Sequence, residues 1–348
     1  MAKLEDLLSA QDLQAYIQQR DYTPNLGETL FPNRKDDVID LKYIVGANKA
    51  PVSASIRAVD AETQIGGRAI DTKTFEHEIF TIARKIPLTE KFILELSRTT
   101  NNDALRSFAQ LIYDDLDNMV QSVRVRIERM RMDALFNGVL NINENGFVGT
   151  VDYQVPADHK KDVSATAPWS ASSTDWVSDL DTWVELLRGS GVIATRVLTT
   201  SEVLRTILKH SKTKSYIFGT SSSTGYVTEN ILNDWLVSAG LPTFAAYDNV
   251  YAIEKNDGTR EQKKYVPYGK IAIFGSDPVG VTQFGLTAEE IELRLDPSYS
   301  FGGDNFITGV IEREFDPPRR WTKAVARALP SFGGADGVIQ AKVLADPV

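Results

Sequence analysis

Residues 103–136, DALRSFAQLIYDDLDNMVQSVRVRIERMRMDALF, decide the architecture. Leu105, Phe108, Ile112, Leu116, Met119, Val123, Ile127 and Met130 follow one another at spacings of 3, 4, 4, 3, 4, 4 and 3 residues. That period, near 3.6, draws an unbroken apolar stripe along one straight helix. Arg106, Gln110, Asp114, Asp117, Gln121, Arg124, Glu128 and Arg131 make a polar face. Asn101 or Asn102 is placed to cap the start, and Gly138 stands where a helix C-terminus takes a left-handed glycine. At ~1.5 Å per residue the helix runs roughly 50 Å, about three to four times the common length. A heptad coiled coil would drift from this spacing, and no second long helical pattern exists to partner it. The pattern predicts a rod packed along its length against a sheet.

On the N-terminal side, residues 1–29 read as an arm. Leu4, Leu7, Leu8, Leu13, Tyr16 and Ile17 give short amphipathic turns, with Ser9 and Asp12 spaced as a capping box. Thr23-Pro24-Asn25-Leu26-Gly27 then breaks the pattern. So short a helix is marginal alone and needs a surface to lie on. Residues 30–95 read as an extended loop and its base. Val38–Tyr43 and Phe75–Ala83 are its strand candidates, separated by a polar, small-residue stretch that includes Gly66-Gly67. With so few apolar residues, this stretch favours a projecting loop over a hairpin inside a compact domain.

On the C-terminal side, Val139–Val155 reads as a hairpin turning at Asn143-Glu144-Asn145-Gly146. Residues 96–165 thus hold the rod and this hairpin, followed by a polar linker from Pro156 to Ser173. Residues 166–305 form an α/β segment. Its helix candidates are Thr174–Arg188, Ser201–His210 and Thr228–Ala239, and its strand candidates are Val192–Leu198, Thr243–Tyr247 and Lys270–Phe274. Two strands, Phe306–Phe315 and Trp321–Leu329, close the chain within residues 306–348. The fold class is α+β.

Composition limits the chemistry. The chain has 348 residues, 42% apolar and 24% charged, which is ordinary for a folded protein. It has no cysteine, which excludes disulfides, zinc-thiolate sites and thiol nucleophiles. No run approaches the ~18 apolar residues of a membrane span, and a net charge of −9 leaves no overall basic footprint for nucleic acid. Gly189-Ser190-Gly191-Val192-Ile193-Ala194 is formally a GxGxxA, but a helix precedes it and a strand follows, the reverse of what a dinucleotide needs. His77, His159 and His210 show no metal spacing and read as surface or boundary residues. Asp114, Asp115 and Asp117 read as charge on the helix surface, solvated or facing a partner. The residues point to no catalytic, cofactor or metal site.

Arg124, Arg126, Arg129 and Arg131 make the second half of the rod basic. They fit complementarity to the helix dipole, salt bridges such as Arg124 to Glu128, or contact with DNA or an acidic partner. The first two together are the favoured reading, with some of the four expected to pair with carboxylates of a neighbouring copy. All four are candidate subunit-contact residues.

The order of arm, extended loop, rod, hairpin, α/β segment and closing strands resembles the Hong Kong 97-like fold of tailed-phage capsid proteins. The residues resemble the lambda-type major capsid protein family, capsid protein E. Four stretches carry this: FEHEIFTIARKIPL (75–88) leading to Thr89-Glu90; Arg126-Ile127-Glu128 through Asn137-Gly138; Arg196-Val197-Leu198-Thr199-Thr200-Ser201 through Leu208; and Asp316-Pro317-Pro318-Arg319-Arg320-Trp321 through Ser331. Together they span most of the chain, and their order is more specific than any one of them. The resemblance implies a virion subunit that forms hexamers and pentamers of an icosahedral head. That head would be assembled in the host bacterial cytoplasm, enclosing DNA without sequence-specific binding. It further implies a separate scaffolding protein, a portal and in some relatives a decoration protein. The rod and closing strands would form a peripheral domain, and residues 166–305 an axial domain. An encapsulin-like shell is the alternative on the same fold, and a soluble α+β enzyme such as a glycoside hydrolase the alternative of another class.

Overall fold

The computed structural model describes residues 15–17, 19–20, 22–36, 40–45, 73–88, 90–91, 94, 102–144, 146–219, 225–255, 257–275, 278–295, 306–315 and 318–347. The Ser9–Asp12 capping box, the loop stretch with Gly66-Gly67, Asn101, and the side chains of Leu105 and Arg106 lie outside the described residues. In chain order the elements are α1 (Leu26–Leu30), β1 (Asn33–Lys35), β2 (Asp40–Val45), β3 (Lys73–Glu78), β4 (Phe80–Leu88), α2 (Asn102–Asn137), β5 (Val139–Glu144), β6 (Phe147–Asp152), β7 (Lys160–Asp162), α3 (Trp176–Gly189), β8 (Arg196–Thr199), α4 (Ser201–Lys209), α5 (Ser211–Phe218), α6 (Glu229–Ser238), β9 (Thr243–Ala246), β10 (Val250–Glu254), β11 (Arg260–Lys264), β12 (Lys270–Phe274), β13 (Val281–Gly285), α7 (Ala288–Leu295), β14 (Thr308–Phe315), β15 (Pro318–Ser331) and β16 (Val338–Lys342).

The rod is present as one unbroken helix, α2, a residue longer at each end than its pattern predicts. Ile112, Leu116, Met119, Val123, Ile127 and Met130 are buried along it, each contributing about 1.5–3 kcal/mol by leaving water. Gly138 ends it in the left-handed region, φ 64°, with its N–H on Ala134 O at 3.0 Å.

The chain divides into two compact units. The first comprises Met1–Leu41, Glu76–Arg131 and Val281–Ser331, and the second Lys42–Phe75, Met132–Gly280 and Phe332–Val348. In the first unit, the fourteen-residue β15 is the centre of a five-stranded sheet. β4 pairs antiparallel along one side of it, from Arg320↔Leu88 to Ala328↔Phe80. β14 and then β13 follow one another along its other side, and β1 adds in parallel to β13. Thr322, Ala324, Ala326 and Ala328 alternate as fully buried residues of β15, small enough for a helix to approach closely. A Cβ on Gly309 of β14 would lie 3.0 Å from Leu116 Cδ1 of α2. The rod therefore packs on a sheet, as its stripe predicts.

In the second unit the sheet order is β7-β16-β12-β8-β9. β12 is antiparallel to both neighbours, whereas β7 runs parallel to β16 and β9 parallel to β8. α3, α4 and α6 bury Leu180, Trp183, Leu204, Ile207, Leu232 and Leu236 in one core with Val197, Ile271, Ile273, Ile339 and Phe244 of the sheet. Three expectations change here. The segment read as a polar linker supplies the edge strand β7 and the fully buried Trp169, whose ring stacks on Trp183 at 5.7 Å. Its indole N–H donates to Asp179 at 3.0 Å. β16, in the stretch read as a tail after the two closing strands, is the second strand of this sheet, because Val338–Lys342 is a largely apolar run buried between two partners. His159 and His210 are buried rather than superficial. His210 Nδ1 accepts Lys212 N–H at 3.2 Å and its Nε2 lies 2.9 Å from Ala171 O, so the ring caps α5. The expected hairpin forms as β5 and β6, paired from Val139↔Asp152 to Glu144↔Phe147.

Candidate functional site

The basic half of α2 meets the arm inside the first unit, and carboxylates on both partners hold the junction. Asp117, read from sequence as surface charge, accepts hydrogen bonds from Tyr16 Oη at 2.9 Å and Tyr22 Oη at 2.7 Å, with Arg20 at 3.4 Å. The Tyr16 ring lies 4.6 Å from that of Tyr113. Burial, then the Asp117 carboxylate, raise the pKa of Tyr22 far above the ordinary phenol value, and Tyr16 moves the same way for the same reasons.

Two turns further on, Arg124 pairs with Glu28 at 2.8 Å, donates to Thr23 O at 3.2 Å and sits over the Tyr22 ring at 5.1 Å. The expected partner, Glu128, is used otherwise. It is fully buried, accepts Gly27 N–H at 2.9 Å, and pairs with Arg131 at 3.4 Å. The helical wheel put Glu128 and Arg131 on a polar face, but α1 covers that face. Arg131 is only 2% exposed. It donates to Thr282 Oγ1 at 2.9 Å and to Asn33 Oδ1, and lies 3.8 Å from Glu28. Thr282 in turn donates to Phe31 O at 3.0 Å. Burial lowers the Arg131 pKa, offset in part by Glu128 and Glu28; a guanidinium stays charged regardless. Gly27 allows this closeness, because a Cβ there would run into the Glu128 carboxylate and stand 2.8 Å from Arg131 Cδ.

Arg124 and Arg131 are thus directed into their own chain, whereas Arg126 and Arg129 are half-buried. The dipole reading also changes. None of the four lies in the last turn, where a charge would feel the helix terminus. Within the second unit the final carbonyls of α2 are met by other groups. Gln340 Nε2 donates to Ala134 O at 3.1 Å and Leu135 O at 2.8 Å, and Lys270 Nζ reaches Phe136 O at 3.5 Å.

Sequence reading missed Tyr16, Arg20, Tyr22, Gly27 and Glu28 as anchors. The signal was present as charge complementarity: Arg20 and Glu28 in the arm are opposite in sign to Asp117 and Arg124 on the rod. Among the described residues no group of His, Cys, Asp or Glu could hold a metal, and no helix is long and apolar enough to cross a membrane. Gly191 turns at φ 83° after α3, so the GxGxxA segment joins a helix to the strand after it. The geometry makes a clasp between segments of protein.

The family model described as phage major capsid protein E matches residues 9–343. A search of curated proteins returns no match. Among solved structures, a putative capsid protein of a prophage from E. coli CFT073 is 15% identical with a TM-score of 0.62, covering 97% of this chain and 99% of that one. A phage-related protein from Bordetella bronchiseptica RB50 is 12% identical with a TM-score of 0.55, covering 97% of each chain. At these identities the likeness is one of fold, the Hong Kong 97-like α+β fold of phage capsid proteins. An encapsulin from Synechococcus elongatus PCC 7942 is also similar, 12% identical over 97% of both chains, at a TM-score of 0.42.

Proposed function

Given that this chain belongs to the phage major capsid protein E family, we propose that it is the repeating subunit of an icosahedral phage head, joining identical copies as hexamers and pentamers around double-stranded DNA. The family is a structural one and not an enzyme family. The single observation that carries the proposal is the family match over residues 9–343.

In this reading residues 30–95 reach over a neighbouring copy, and residues 96–165 with the closing strands form the periphery of the capsomer. Residues 166–305 form its axial part. Arg126 and Arg129 are the members of the basic run that meet carboxylates of a neighbour. Assembly in the host cytoplasm would draw on a scaffolding protein and a portal. Contacts that wrap an arm and a loop around neighbours bury more than the ~800 Å² per partner of a standard interface, and so need no disulfide.

Negative-stain microscopy of the protein purified with its co-expressed scaffold tests this. The expected result is closed, uniform particles. A monodisperse monomer under every assembly condition would overturn it. Particles that load an enzyme instead of DNA would favour the encapsulin-type shell.

A further inference from the structure

In the sheet of the second unit β9 stands at one end, with β8 beside it and, among the described residues, no strand on its other side. A strand so placed offers N–H and C=O groups to any chain that can lie along it. The register tells which residues do so. Thr243 N–H donates to Thr195 O at 3.2 Å and Tyr247 N–H to Thr199 O at 2.9 Å, so the odd-numbered residues of this stretch turn toward β8. Residues 242, 244 and 246 turn the other way. Pro242 has no N–H to offer. At Phe244 a side chain stands in for the missing strand. Asn233 of α6 accepts Phe244 N–H at 2.9 Å and donates to Phe244 O at 3.0 Å, because a carboxamide carries both the donor and the acceptor that a strand residue would supply. That leaves the N–H of Ala246, which is exposed, and a single donor makes no ladder.

The local chain brings the two residues together. Leu232 and Leu236 anchor α6 in the core, Gly240 reverses the chain at φ 73°, and Leu241 N–H returns to Leu236 O at 2.8 Å. Residue 244 therefore runs back beside residue 233. The strand at the other end of the sheet, β7, is guarded differently. It is three residues long and carries Lys160 and Lys161, and short length and lysine both discourage a further strand. We propose that Asn233 closes the β9 edge against a strand from another copy of this chain. In a capsid protein family identical copies meet at high concentration, and every open edge is a competing way to join.

The inference does not rest on the hexamer and pentamer reading. Hydrogen exchange and sedimentation of the purified full-length chain, wild type against Asn233→Ala, test it. In dilute solution the Phe244 amide of the variant should exchange roughly two- to tenfold faster, the worth of one hydrogen bond. On concentration the variant should form open-ended oligomers in which the Phe244 and Ala246 amides regain protection. Adding Ala246→Pro removes the remaining donor on that side and should return sedimentation to that of wild type. Asn233→Leu, near in shape but without polar atoms, should behave as Asn233→Ala does, and replaces it if the smaller side chain does not fold. A folded variant that associates no more than wild type, whatever its exchange rate, would overturn the proposal. Association that Ala246→Pro leaves in place would overturn it equally, since lost stability and not an open edge would then be the cause.

Discussion

The junction between arm and rod depends on Gly27, Glu128 and Arg131. Glu128 is fully buried and Arg131 nearly so, and each is tolerable there because the other, with Gly27 N–H, Asn33 and Thr282, satisfies it. Glu128→Ala removes one half and leaves a buried cation. The expected loss is about 3–5 kcal/mol, read by urea unfolding of the unassembled subunit. Gly27→Ala forces a methyl against the same pair, and should cost about 1–3 kcal/mol as an overpacked contact. Tyr22 adds a pH dependence. Its folded pKa is raised above the ordinary value of 10.0, so the unfolded chain loses its phenolic proton first as pH rises. Its contribution is complete below pH 10.0 and is lost as pH climbs from there toward the folded value. Tyr22→Phe should flatten the alkaline fall in stability, measured by thermal unfolding across that range. Opposite charges on arm and rod were legible in the sequence, but the burial of Glu128 and Arg131 was not. A helical wheel sorts residues by polarity, and Glu128 looks solvated until the segment that covers it is placed.

At the scale of elements, legibility followed length and period. α2 was readable almost to the residue because its stripe repeats through many turns, and Lys270–Phe274 because four consecutive residues of it are buried. The three-residue β1 and β7, Asn33-Arg34-Lys35 and Lys160-Lys161-Asp162, carry no period at all. They are strands only because β13 and β16 offer them an edge. α5, Ser211–Phe218, was missed because its sequence is polar at the start and its cap is a histidine, His210. The single strand expected over Phe75–Ala83 is divided at Ile79 into the end of β3 and the start of β4, which runs on to Leu88. Arg84, Lys85 and Pro87 are exposed along it, and charge and proline discourage a further strand from adding. The rod itself is open to a direct test. Met119→Pro removes a backbone donor mid-helix and should cost about 3 kcal/mol or more, seen as lost helical circular dichroism and lost particles. Unchanged assembly would mean that α2 need not be continuous.

For the whole molecule, the charge of the rod bears on how copies meet. Arg124 and Arg131 pair inside the first unit, and Arg126 and Arg129, both half-buried, are the members of the run proposed to meet a neighbour. Arg126→Glu or Arg129→Glu should slow assembly most at low salt, where charge repulsion is least screened. Light scattering at two ionic strengths checks this, and equal rates at both would remove these residues from the interface. The order of units along the chain could not be read in advance. Both are built from separated segments, and pairing between segments leaves no local trace in sequence.

The position of β16 carries a consequence for biosynthesis. Residues 338–342 lie between β7 and β12, yet they leave the ribosome long after both neighbours. Until they emerge, the sheet has a gap in its middle, and the α3, α4 and α6 core lacks the cover of Ile339 and Ala341. The second sheet therefore waits on a segment made well after both of its neighbours, and the arrival of β16 sets when its core can close.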